Sequence, residues 1–521
     1  MSGTVVSRSS AGRWLVAVAV MSSAIMEVLD TSVVNVSLPH IAGSLSASVD
    51  ESTWVLTSYL VANAIVLPIT GWLANYFGRR RLLLSVVTGF TISSLLCGIA
   101  PNLPSLIFFR VLQGTTGGGL QPLSQAVLLE EFPGAERGKA MAFWSMGIIA
   151  APILGPTLGG WITDTYSWRW VFYINLPIGI ASLIMIGLFV SDPHYLGRGK
   201  LRADLWGFGM LAVGMGALQI MLDKGQEDDW FGSRFIISLA VLAAGFLAAF
   251  VVREMTTEQP IVHFRLLKYR SFGAGIVLVT LLGFVLYGSL VTLPLFMQTL
   301  LGWTSALAGL YTSPRGIATA ICMPLVGYLL GRGWDARWML VFGFAVAGVA
   351  FFGYSRMDLD SGTSDILFHL LNQGAGLAFV FVPLTVLTMD PIPKQETGYA
   401  TSLYSVMRNI GSSVGVSFVT TWIARRSQFN QSLLAAHVTD VSPFTRQALE
   451  RAQGLFVQGG SDPVTASRRA QAMLYGAVQQ QATLLSFLSV FRLMGILFLI
   501  LVPLVFIVQK QKRTKPVAAV R

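Results

Sequence analysis

Apolar residues run along this chain in long blocks separated by short polar punctuation. Blocks fall at about 14–38, 53–76, 82–100, 104–129, 139–162, 169–190, 205–222, 234–252, 272–297, 304–330, 338–354, 365–388, 398–423 and 486–508. Each is near the roughly 20 residues that carry a helix across a bilayer. The blocks are too long for strands. The pattern predicts an all-α polytopic membrane protein with 14 spans.

An even number of spans puts both termini on one side. The basic residues select that side. With the termini inside, 22 of the 36 Lys and Arg fall on internal segments, densest at Arg79–Arg81 and at Lys510, Lys512, Arg513 and Lys515. Only Arg169, Lys224, Arg234 and Arg356 fall on short external loops. Short loops decide orientation, so both termini are expected in the cytoplasm. Trp14 opens an apolar run with no cleavable signal in view, so a removed leader is not expected.

The chain repeats itself. Pro39 closes the first span and Pro294 the ninth; Gly71 with Leu73 ends the second and Gly327 with Leu329 the tenth; Gln113-Gly114 recurs as Gln373-Gly374. The offsets are 255, 256 and 260 residues, which argues for two six-helix halves. They also leave room for two extra spans, at 205–252. The expected division is 1–190, an inserted pair with connectors at 191–271, and 272–521. Residues 424–485 are polar and external. There Ser461-Asp462-Pro463 reads as a helix start. The segment is either a solvated loop or a docking surface.

Composition excludes whole classes. Residues of the AVILMFWYC set make up 54% of the 521 residues and charged residues only 12%. A soluble protein carries about 25% charged residues, so a soluble multidomain enzyme and a disordered chain are both excluded. The net charge of +11 follows from topology and implies no nucleic-acid partner. Cys97 and Cys322 sit inside apolar runs and form no metal or disulfide framework. There is no GxxxxGK[ST] and no HExxH, and the five histidines are scattered. No cofactor, ATP or catalytic set is expected.

Ionised side chains at mid-membrane cost about 2.5–3.5 kcal/mol on insertion scales and are functional suspects. Glu27 and Asp30 share one face of the first span. At 1.5 Å per residue, Asp30 lies about 12 Å and Glu27 about 16 Å below the outer end; Arg110 lies about 9 Å below its own. Asp30 and Arg110 therefore share a depth and are expected to face each other across a cavity. They form either a proton-coupling site or a static ion pair. Arg315 and Arg408 also sit near mid-depth, as snorkelling groups or with carbonyl partners. Candidate cavity-lining residues are Asn35, Gln113, Trp144, Tyr287, Gln373 and Tyr404. Gly155, Pro156, Gly159 and Gly160 combine small residues with a helix-bending proline, which suits a hinge where the two halves meet.

These residues form a recognisable set. LDTSVVNVSLP at 29–39, RVLQGTTGGG at 110–119 and GPTLGG at 155–160 resemble signatures of the fourteen-span drug:proton antiporters of the major facilitator superfamily. WRWVFYINLPIG at 168–179, with LDKG and Asp229-Trp230-Phe231, is similar to the EmrB-type multidrug export permeases. The resemblance implies two six-helix bundles around a central cavity, with alternating access driven by the proton gradient. It implies Asp30 as the proton- or cation-sensing carboxylate, Arg110 as its coupled arginine, and 155–160 as the hinge. The cytoplasmic gate loop would comprise Gly71, Asn75, Gly78, Arg79 and Arg80, where Asn75 stands in place of the family's Asp. Expected partners are small hydrophobic substrates, protons and membrane lipid, with a periplasmic adaptor and an outer-membrane channel docking at 424–485. The location implied is the inner membrane of a Gram-negative bacterium. A dedicated metabolite or siderophore exporter, or an uptake symporter, is the alternative.

Overall fold

The computed structural model describes residues 10–192, 204–439 and 442–509. Arg8, the connector 193–203 and the basic cluster from Lys510 onward lie outside the described residues. Among the described residues every regular element is helical. The first part of the chain forms α1 (Ser10–Ser44), α2 (Val49–Val66), α3 (Thr70–Phe77), α4 (Arg79–Gly98), α5 (Leu103–Gly117), α6 (Leu120–Glu131), α7 (Gly134–Thr165), α8 (Trp170–Tyr173) and α9 (Asn175–Phe189). Then come α10 (Leu205–Lys224) and α11 (Arg234–Thr256). The rest forms α12 (Arg270–Thr299), α13 (Ser305–Gly331), α14 (Ala336–Tyr354), α15 (Thr363–Met389), α16 (Thr397–Ala435), α17 (Pro443–Gln458) and α18 (Pro463–Val505). Arg79–Arg81 mark what is called here the basic end of the bundle; the turn 45–48 marks the far end.

Among the described residues eleven helical stretches, two of them joining α2 to α3 and α8 to α9, are long and apolar enough to cross a membrane, or twelve if the bent α7 is counted. Two expected spans, 104–129 and 398–423, are helical but fall below that apolar standard. Their polar side chains, among them Arg110, Gln113, Gln125, Ser402 and Arg408, are buried against protein. Hydropathy undercounts helices whose polar face looks inward.

Two expected helix ends move. Pro39 and Pro294 do not close their helices; each lies inside a helix that continues to Ser44 or Thr299. A proline removes one hydrogen bond and bends a helix without having to end it.

Small residues set the closest approaches. A Cβ on Gly114 would stand 2.3 Å from the carbonyl oxygen of Tyr59, and one on Gly374 would stand 2.1 Å from that of Arg315. The two contacts are equivalent: Arg315 follows Tyr59 by 256 residues, close to the repeat offset. Between the two parts of the chain, α7 packs on α13 and α3 on α16. There a Cβ on Gly327 would lie 3.0 Å from Ala142, and one on Gly71 would lie 2.6 Å from the Gly398 carbonyl oxygen. These contacts close the bundle at its basic end.

Helix α10 packs against α2 and α16, whereas α11 packs chiefly on α10. Lys224 Nζ donates to Thr53 Oγ1 at 2.6 Å on α2. Ser413 Oγ on α16 donates to Gln219 Oε1 at 3.0 Å, and Trp230 Nε1 donates to Thr421 Oγ1 at 2.9 Å. Helix α16 meets α3 and the 3₁₀ turn Leu67–Ile69 near the basic end. Further along, α10 stands between α2 and α16.

At the far end, 424–485 is not a loop. Helix α16 runs on to Ala435, α17 follows, and α18 starts at Pro463 and enters the bundle unbroken. Asn430 Nδ2 donates to Ser486 Oγ at 3.1 Å, tying the two long helices together. The expected start at 461–463 is present. The Asp462 carboxylate accepts from the N–H groups of Val464 at 3.1 Å and Thr465 at 3.0 Å, with Pro463 at the first position. Hydrogen bonds from Thr465, foremost, hold the Asp462 carboxyl below its ordinary range. Its stabilisation is therefore present above the ordinary aspartate pKa, near 4, and is lost as pH falls through the lower folded value. Asp462→Ala should speed amide exchange at Val464 and Thr465 at pH 7 and leave the 486–505 amides unchanged. Equal exchange in both proteins would exclude the cap.

Candidate functional site

Five side chains meet in the first part of the chain with no access to solvent. Asp30 comes from α1, Arg110 and Gln113 from α5, Ser94 from α4 and Asn175 from the start of α9. Arg110 Nη1 donates to Asp30 Oδ2 at 2.6 Å and to Gln113 Oε1 at 2.7 Å. Asp30 Oδ1 accepts from Gln113 Nε2 at 2.9 Å and Asn175 Nδ2 at 2.7 Å. Asn175 Nδ2 also donates to Ser94 Oγ at 3.0 Å. Arg110 Nε donates to the Val55 carbonyl at 3.0 Å, and its guanidinium carbon lies 4.1 Å from the centre of the Tyr59 ring.

Depth arithmetic places Asp30 and Arg110 together, and they are together. They do not face each other across a cavity, however. They touch, and Asp30, Arg110 and Gln113 are all fully buried. A spacing of three on α5 puts Arg110 and Gln113 on one face, so both reach the same carboxylate. Charge-assisted bonds to a buried carboxylate are the strong kind. The matching place in the later part of the chain is neutral: Tyr354 donates to Gln373 Oε1 at 3.2 Å, and Gln373 Nε2 donates to Ser289 Oγ at 3.2 Å.

The other side of Tyr59 borders a chamber of about 530 Å3 lined by α1, α2, α10 and α16, with Tyr287 from α12. Of the lining candidates Asn35 and Tyr287 line it, and so does Glu27, which was expected in proton coupling instead. Glu27 accepts from Asn63 Nδ2 at 3.0 Å. Its polar wall also includes Asn63, Gln121 and Arg408, Gln219 and Asp223 from α10, and Glu227 just beyond that helix. Thr57 donates to Asp223, and Glu227 pairs with Lys224 at 2.5 Å.

Four expected lining residues turn away. Gln113 and Gln373 belong to the buried clusters above. Trp144 donates from Nε1 to Ser124 Oγ at 2.9 Å, and the Tyr404 hydroxyl bonds Thr385 Oγ1 at 3.1 Å. A polar side chain inside a span finds a neighbouring helix as readily as a cavity, and hydropathy does not distinguish the two. Asn175 and Asn63 were missed. Asn175 lies within the WRWVFYINLPIG segment, and that placement was the available signal.

The glycine segment is corrected in detail. A Cβ on Gly155 would stand 2.2 Å from Ser32 Oγ, and one on Gly159 would stand 2.9 Å from the Val33 carbonyl oxygen. Both pack α7 on α1, within the first part of the chain, whereas Pro156 faces α13 of the later part, where a Cβ on Gly309 would stand 3.6 Å from the proline Cβ. Gly160 has nothing within 4 Å. The bend is 42°, between Glu136–Pro152 and Leu154–Thr165. Pro156 has no N–H for the Pro152 carbonyl four residues back; Ser32 Oγ donates to that carbonyl at 3.1 Å.

At the basic end Gly78 adopts φ +87° and ψ 151° at the junction of α3 and α4, a conformation that glycine takes without strain. Arg79 is buried and ion-pairs with Glu130. Arg80 turns outward and donates to the Gly187 carbonyl at 2.5 Å. Asn75 stands on α3, the helix whose Gly71 abuts Gly398 and Tyr399 of α16, and brings no charge to that contact between the two parts of the chain.

Residues 20–416 match the Major Facilitator Superfamily model. The chain belongs to the major facilitator superfamily. The fatty acid resistance protein FarB of Neisseria gonorrhoeae is 39% identical over 487 residues, spanning 92% of this chain and 93% of that one. The multidrug export protein EmrB of Escherichia coli strain K12 is 36% identical over 495 residues, spanning 94% of each. The human organic anion transporter MFSD10 shares the fold, with a TM-score of 0.60 at 13% identity over 93% of this chain and 99% of that one. As a facilitator-superfamily protein with many apolar helices and Gram-negative relatives, it is a transporter of the inner membrane.

Proposed function

We propose that this protein is a proton-coupled exporter of hydrophobic and toxic small molecules, with fourteen spans and both termini in the cytoplasm. Its working units are 1–190, the inserted pair 191–271 and 272–521. The observation that carries the reading is the sealed Asp30–Arg110–Gln113–Asn175 cluster beside a chamber, with Tyr59 forming the wall between them. A proton on Asp30 removes the charge that holds Arg110, and the shift passes through Tyr59 to the chamber. Glu27, on the same face of α1, reports the chamber's occupancy to that helix. The names of EmrB and FarB support export of multiple or fatty compounds. Nothing in the reading requires ATP or another cofactor.

The test is purified protein in liposomes with an imposed pH gradient and a panel of lipophilic dyes. Dye movement should be opposite to proton movement and should vanish with an uncoupler. Dye and protons moving together would establish symport instead.

The far-end hairpin is proposed as the docking surface for a periplasmic adaptor that leads to an outer-membrane channel. Replacing 430–480 with a short Gly/Ser linker should spare liposome transport and lower resistance in cells. Loss of liposome transport with adaptor pull-down intact would assign the hairpin to the transport cycle.

A further inference from the structure

Arg315 on α13 and Arg408 on α16 are the two buried cations with no ion pair among the described residues. Each is more than nine-tenths buried. Arg408 Nη2 donates to Gln121 Oε1 at 2.5 Å, but its Nη1 has no partner, and neither has Nη1 of Arg315. Neither guanidinium snorkels to an end, and no carbonyl satisfies these two nitrogens. Burying a cation without a counter-charge is costly.

Both arginines line one recess of about 30 Å3, otherwise walled mainly by apolar groups such as Ile148, Leu286, Leu377 and Phe381. That is room for a small headgroup, since a water needs roughly 10–15 Å3 on this measure. The recess shares Pro152, Tyr287 and Arg408 with the large chamber, whose walls carry Val28, Leu56, Leu60 and Leu222. Of the chamber's carboxylates, Glu27 is the one within electrostatic reach of Arg408; Asp223 and Glu227 stand on or just beyond α10, tied to Thr57 and Lys224. Arg408 therefore has one carboxylate within reach and Arg315 has none, which leaves positive charge in the recess to be met.

We propose that Arg315 and Arg408 form an anion-binding subsite that takes the charged head of a monoanionic amphiphile, a carboxylate or sulfonate on an apolar body, whose tail lies in the chamber. Glu27 competes with that head for Arg408. The proposal rests on the export reading only in calling the ligand cargo.

The test measures binding without a gradient. Full-length protein in phosphatidylcholine nanodiscs is titrated at pH 8 with 11-(dansylamino)undecanoate and with its methyl ester, empty nanodiscs being subtracted. The acid should bind at least about tenfold more tightly than the ester, as charge-assisted bonds to a desolvated arginine require. Arg315→Gln and Arg408→Gln should each erase that preference, weakening the acid far more than the ester; Arg408→Lys should keep part of it. Glu27→Gln should enlarge it. On the unsubstituted protein, dodecyl sulfonate should displace the dansyl acid and dodecyltrimethylammonium should not, which tests the idea even if an arginine variant fails to fold. Equal binding of acid and ester, equal displacement by both detergents, or equal loss of both probes in the arginine variants would overturn the proposal. Arginine-dependent binding without gradient-driven transport would instead count against the export reading and leave the subsite standing.

Discussion

Asp30→Asn should abolish gradient-driven efflux while the protein remains folded in the membrane. The carboxylate accepts one bond from Arg110 on Oδ2 and two, from Gln113 and Asn175, on Oδ1. Asparagine keeps the shape and can keep the two amide bonds. It then turns an N–H toward Arg110 Nη1 and leaves a cation sealed without its counter-charge. Removing one partner of a buried pair costs about 3–5 kcal/mol, so the variant should also melt earlier. The double variant Asp30→Asn with Arg110→Gln removes both charges and should recover part of that stability, with no recovery of efflux. The readouts are thermal midpoint and gradient-driven dye transport in liposomes. Full active transport by a folded Asp30→Asn protein would sink the coupling role, and the pair would then be a packing device.

Gly155→Leu should insert normally and lose at least about nine-tenths of transport. A Cβ at 155 would overlap Ser32 Oγ at 2.2 Å and Ser32 Cβ at 2.4 Å. Ser32 is the donor to the Pro152 carbonyl at the bend of α7. The added bulk pushes α1 from α7 at the level of Asp30, two residues away from Ser32, and frees that carbonyl. Overpacking of this kind costs about 1–3 kcal/mol, which a large bundle survives but a moving helix pair does not. Gly160→Leu is the control, because nothing lies within 4 Å of that position. Its transport should match the unsubstituted protein. Unchanged rates in Gly155→Leu would remove close packing of α1 and α7 from the mechanism.

The positions of the helices were legible because membrane hydropathy is a property of whole segments. The Asp30–Arg110 encounter was legible for a similar reason: depth is linear in residue number along a helix. Rotation about the helix axis is what the pattern does not carry. Trp144 and Tyr404 have the right depth and the wrong azimuth, since each spends its polar atom on a neighbouring helix. Polar interior faces also lowered the hydropathy of α5–α6 and α16, so these helices look least like spans. The inserted pair reads as a linker between two repeats because its order in the chain says nothing of where it folds back. Gln219 and Asp223 reach the chamber only through the packing of α10 on α2 and α16.

That position of α10 bears on where a hydrophobic cargo can go. Two halves that part at one end open two long slots toward the lipid, and a greasy molecule let go there would dissolve straight back into the leaflet it was taken from. Along one slot α7 and α13 are in contact; along the other, α10 is the wall, hydrogen-bonded to both sides. The bilayer is thus fenced off from the chamber on that flank.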